Sequence, residues 1–91
     1  MNLKHIPQVV PSHKRASDKI AAYINSCGQT STVHSQLVPE QMRIYAQLNA
    51  CKTMLALFKM RYPTERLEYT KLACLLQIKT TELYCVMSVE L

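Results

Sequence analysis

The chain has 91 residues, 48% of them hydrophobic and 19% charged, with a formal net charge of +5. That length allows one small domain with a modest core and excludes two, the composition excludes a disordered chain, and no apolar run reaches the roughly 20 residues that cross a bilayer. The basic balance favours polyanionic partners, nucleic acid first and acidic protein surfaces or anionic lipid second, against the plain alternative of charge kept for solubility.

Residues 1–11 read as an extended basic arm. Pro7 and Pro11 lack the amide donor and disfavour helix in the residue before them. Lys4 and His5 lie in the arm, with His13, Lys14, Arg15 and Lys19 just beyond. Such an arm tracks a phosphate backbone or is an ordinary frayed terminus. Its bases flank two prolines without a continuous apolar segment, so it does not read as a signal peptide and a cytoplasmic chain is expected.

Residues 12–91 read as a single helical domain, with helices at about 13–27, 40–62, 65–76 and 80–89 and a linker over 28–38. Ser12 is the expected N-cap of the first helix and Gly28 its left-handed stop. Ile20, Ile24 and Cys27 fall at i, i+4 and i+7, with Ala16 and Tyr23 beside them, which makes one apolar stripe. Gly28 is the only glycine, and Ser, Thr, Gln and His dominate from there to Val38.

Pro39 opens the longest helix. Glu40 suits its positive end, and Lys52, Lys59 and Arg61 suit its later half. Ile44, Leu48, Cys51, Leu55, Phe58 and Tyr62 repeat at spacings of four and three, and Met42, Tyr45, Ala46, Met54 and Leu57 widen the apolar side. The seam is either the central strut of a bundle or an interface. For a dimer or partner interface the candidates are Ile44, Leu48, Leu55, Phe58 and Tyr62. The Met and Tyr content also suits a peptide-binding groove. Pro63 stops the helix, and Thr64 or a residue within Arg66-Leu67-Glu68 starts the next.

Between Tyr69 and Ser88 the apolar residues fall into two groups. Leu72, Ala73, Leu75 and Leu76 line a first short helix, Gln77-Ile78-Lys79 read as a break, and Thr80 caps a second helix carrying Leu83, Val86 and Met87 inward. This stretch resembles the helix-turn-helix DNA-binding superfamily. Ala73 matches the small residue where the helices cross, Leu72 and Leu76 the apolar positions before the turn, Ile78 the aliphatic after it, and Leu83 and Val86 those inside the second helix. It departs at Gln77, where the superfamily usually has a glycine at positive φ.

The resemblance implies an all-α fold, a small bundle of four to five helices with a C-terminal helix-turn-helix. Only Val89-Glu90-Leu91 follow, so no wing is expected. It implies duplex DNA against Lys79, Thr80, Thr81, Tyr84 and Ser88, with backbone phosphates held by Lys71 and Arg66. Arg, Asn and Gln, the bidentate readers of bases, are missing from that second helix.

Cys27, Cys51, Cys74 and Cys85 form no C-x-x-C pair, and His5, His13 and His34 do not complete a ligand set with them. Buried thiols are expected, and neither a metal nor another cofactor. A single glycine rules out a phosphate loop, and Glu65 with Glu68 reads as surface pairing, so no catalytic residue is named and no enzyme is expected. The leading reading is a small, homodimeric DNA-binding transcriptional regulator of bacterial, phage or plasmid type. The alternative is a non-catalytic helical protein-interaction module, an adaptor, chaperone or inhibitor, binding a partner through the 40–62 helix.

Overall fold

The computed structural model describes residues 11–28 and 38–87. They form three helices, α1 (Ser12–Ser26), α2 (Val38–Arg61) and α3 (Arg66–Met87), with no strand among the described residues. The described residues are thus all-α, with three helices where four to five were expected. The basic arm up to Val10, the linker between Gly28 and Val38, and Ser88 to Leu91 lie outside the described residues.

Side-chain contacts set the helix directions. At one end of the bundle His13 meets Tyr62 edge-on and Ser17 donates a hydrogen bond to Glu68 at 2.8 Å. At the other end Gly28 donates its amide to Gln47, Tyr45 packs on Tyr84, and Gln41 donates to the Met87 carbonyl. The middle helix α2 therefore runs antiparallel to both α1 and α3. Each helix faces both others, and their buried stripes meet along one axis. Ile20, Ile24 and Cys27 come from α1 and its end, Ile44, Leu48, Cys51, Leu55 and Phe58 from α2, and Leu72, Leu76, Leu83 and Met87 from α3.

The helix ends follow local chemistry. Pro11, not Ser12, occupies the first cap position: its carbonyl accepts the Arg15 amide at 3.0 Å, and no side chain caps the helix. A proline preceding the first turn starts it without an amide to satisfy, which displaces the expected serine cap. Gly28 follows the end of α1 at φ +75. A Cβ there would stand 2.5 Å from a Leu83 methyl, so both backbone handedness and the approach of α3 require glycine. Pro63 and Thr64 make the α2–α3 turn, and the Glu65 carbonyl takes the Tyr69 amide to begin α3.

The expected break at Gln77-Ile78-Lys79 does not occur. One uninterrupted helix, α3, replaces the two expected at 65–76 and 80–89. Gln77 does not take positive φ, since Gly28 alone does so among the described residues. Two causes suffice. Gln and Lys are good helix formers and Ile is tolerated, so nothing local stops the helix without glycine or proline. Leu72, Leu76, Leu83 and Met87 also keep spacings of four, seven and four straight through the segment, so a continuous helix buries all four on one stripe. A turn would have rotated Leu83 and Met87 away from it.

Candidate interaction site

The residues expected at DNA do not converge. Arg66 and Lys71 are exposed near the start of α3, and Tyr84 lies near its end. Eighteen residues of helix between Arg66 and Tyr84 span about 27 Å. Lys79 is turned inward, only 20% exposed, with its ammonium 3.8 Å from Glu82 and 3.5 Å from the Asn25 carbonyl of α1. Thr80 is half-buried toward α2 beside Leu55 and Leu76, whereas Thr81 is exposed on another side of the helix. Tyr84 packs edge-on against Tyr45, ring centroids 5.9 Å apart. Ser88 lies outside the described residues.

The residues expected at a dimer or partner interface have a different place. Ile44, Leu48, Leu55 and Phe58 are buried by α1 and α3 of the same chain, and Tyr62 is half-buried against Phe58. Ile44, Leu48 and Leu55 hold this bundle together, while Phe58 and Tyr62 also line an open groove between α1 and α2. Two neighbouring helices are enough to cover one stripe of α2, so the burial of Ile44, Leu48 and Leu55 does not require a second copy.

Cysteines divide likewise. Cys27 and Cys51 are buried with their sulfurs 3.4 Å apart, and Cys27 donates to the Tyr23 carbonyl at 3.4 Å. With that proton committed, Cys51 donates to Cys27. Burial, then this hydrogen bond, push the Cys51 thiol up to about 12 from its ordinary 9.0. Cys74 and Cys85 are exposed, against the expectation that all four would be buried, because they lie on the side of α3 away from both neighbours. Among the described residues no three His, Cys, Asp or Glu cluster to hold a metal ion, and no helix is long and apolar enough to cross a membrane.

Charge is concentrated at one end. Lys14, Arg15 and Lys19 of α1 lie there, with Lys52, Lys59 and Arg61 of α2. Arg66 and Lys71 of α3 complete the set, and only Asp18, Glu65 and Glu68 oppose it. All three acids are engaged nearby, Asp18 with Lys14, Glu65 with His13 and Glu68 with Ser17. In the other half Arg43 and Lys79 are balanced by Glu40 and Glu82.

At this cationic end a groove opens between α1 and α2. Ala16 and Ile20 form one wall, Met54, Leu57 and Phe58 the other, and Tyr62 closes the end; Lys19 and Arg61 stand on the rim. Its volume is about 280 Å³. A larger and more enclosed hollow of about 510 Å³ adjoins the α2–α3 turn, where Lys59, Glu65, Arg66 and Thr70 add polar groups to the rings of Tyr62, Pro63 and Tyr69. The apolar groove is the better docking site because desolvating it costs no hydrogen bonds. Drug-sized ligands occupy clefts of about 300 Å³ upward, so this one, at the lower limit and open along a side, suits a few anchoring side chains of a partner. Spacing alone could have suggested it, since Met54, Leu57 and Arg61 lie on the flank of the α2 seam that faces α1.

Fold and groove define a class, a three-helix chain with an apolar cleft framed by cations. The chain matches no protein-family model, no curated protein and no solved structure.

Proposed function

We propose that this protein is a non-catalytic helical interaction module that docks an acidic amphipathic helix in the groove between α1 and α2. The observation that carries this reading is the pairing of an almost wholly apolar lining with Lys19 and Arg61 on the rim, at the end where the excess positive charge lies. An amphipathic helix binds such a groove through apolar anchors at i, i+3 or i+4, and carboxylates beside those anchors meet the rim cations. Met54 gives one wall a side chain that adapts to more than one anchor shape. An adaptor, chaperone or inhibitor works in this way.

Selection from a displayed library of helical peptides tests it. Enriched peptides are expected to carry apolar anchors at helical spacing flanked by Asp or Glu. Leu57 is 57% exposed, so Leu57→Glu leaves the fold intact while placing a carboxylate in the groove; affinity should fall at least about tenfold. Equal binding to the Leu57 variant, or selected peptides without acidic flanks, sinks the reading.

The same concentration of charge favours a second reading, contact with duplex DNA through phosphates alone. Arg66 and Lys71 belong to that half and Lys79 does not. If duplex is bound, affinity falls steeply as salt rises, Arg66→Glu weakens it for all sequences, and Lys79→Glu leaves it unchanged. Binding insensitive to salt, or lost with Lys79 alone, argues against it. Transcriptional regulation would need sequence discrimination as well, which phosphate contacts do not supply.

A further inference from the structure

Opposite its buried stripe, α3 carries a second row of residues: Leu67, Lys71, Cys74, Ile78, Thr81 and Cys85, all exposed. Their spacings of four, three, four, three and four are those with which one helix packs along another. Leu67 is 69% and Ile78 58% exposed, while the core takes Leu72, Leu76, Leu83 and Met87 from the other side. The three-helix bundle thus leaves an apolar row on its surface that no described residue covers.

The row reads alike in both directions. Turned end for end about the level of Leu76, it sets Leu67 opposite Cys85, Cys74 opposite Ile78, and Lys71 opposite Thr81. Two copies of α3 laid antiparallel on a two-fold axis therefore bring apolar residues against apolar residues at the middle and at both ends. Such an interface is isologous, each copy giving the same patch. Charge agrees with this register. Lys71 and Glu82 are eleven residues apart, three helical turns, and so share one side of α3. The two-fold axis sets Lys71 of one copy beside Glu82 of the other, and does so twice. In the single chain Glu82 is 62% exposed and meets Lys79 at 3.8 Å, a loose surface pair that is readily exchanged. A parallel two-fold would instead carry the partner's Lys71 and Glu82 to the other flank of the seam and leave Lys71 of one copy about 16 Å in height from Glu82 of the other, so neither pair would form.

We propose that the outer face of α3 is a homodimer interface in which the α3 helices of two copies pack antiparallel about Leu76. Leu67, Cys74, Ile78 and Cys85 form its apolar seam and two reciprocal Lys71–Glu82 pairs set its direction. The groove between α1 and α2 takes no part, so this interface stands whether or not an acidic helix docks there.

Sedimentation equilibrium over a range of concentrations, with circular dichroism to verify helix content, tests it on the full chain. The expected result is a reversible dimer for the wild type and a helical monomer for Ile78→Glu. Lys71→Glu should weaken association about tenfold, and adding Glu82→Lys should bring it back to within about threefold of wild type. A wild type that stays monomeric at high micromolar concentration overturns the proposal. So does an Ile78→Glu chain that dimerises as tightly as wild type. A Lys71→Glu change that leaves association unaltered or tightens it removes the antiparallel register and the proposal with it.

Discussion

Cys51 stores a pH dependence in the core. Its thiol is held protonated by burial and by the donation to Cys27, so it ionises in the unfolded chain near 9.0 and in the folded one only near 12. Above the first value the unfolded state binds fewer protons than the folded one, and stability falls as pH rises. This contribution is therefore complete below about pH 9 and lost on the way to about 12. The comparison is between variants. Denaturation of wild type and Cys51→Ala at about pH 8 and about pH 10.5 should show the larger loss in wild type; parallel losses would remove the thiol from the account. Gly28 makes the other prediction at this scale. Gly28→Ala forces a side chain into positive φ and against Leu83, and should cost about 1–3 kcal/mol in urea denaturation. Ser17, the buried polar side chain of the core, anchors α1 to Glu68 of α3.

At the scale of the element, α3 is the informative helix. The resemblance to a helix-turn-helix rested on Leu72, Ala73, Leu76, Ile78, Leu83 and Val86 matching a permissive pattern, and each of those residues also suits a continuous helix. Gln77 distinguishes the two. In a turn, Gln77→Gly would relieve strain and stabilise the chain; in the middle of a helix it should destabilise by about 1 kcal/mol. Urea midpoints of the two proteins decide the sign. The α2 helix was easier to read, because Pro39 and Pro63 bracket it and its seam repeats without a fault from Ile44 to Tyr62. The stripe of α1 was legible for the same reason, with Ile20, Ile24 and Cys27 buried at the spacings in which they occur.

For the whole molecule, the question is what a doubly apolar helix packs against. The seam of α2 is covered by α1 and α3 of its own chain, so Leu48→Ala should cost about 2–5 kcal/mol, the range for truncating a buried leucine. That loss should be the same at every protein concentration, because it comes from an intramolecular core; a loss that shrinks on concentrating the protein would return the seam to an interface. The outer row of α3 and the α1–α2 groove are among the apolar surfaces that the bundle leaves uncovered. The outer row was not visible in the chain, because a helical stripe looks the same whether its neighbour is the next helix or another molecule. Burial tells them apart.

The amino-acid sequence determined on its own that the chain is helical, where proline and glycine punctuate it, and which residues of α1 and α2 share a face. These properties follow from backbone sterics and from spacing within a single element. Tertiary structure alone decided that Cys27 meets Cys51 and that the basic residues of three helices gather at one end around an apolar groove. Those outcomes depend on residues far apart in the chain competing for the same buried volume, and no local pattern records who wins.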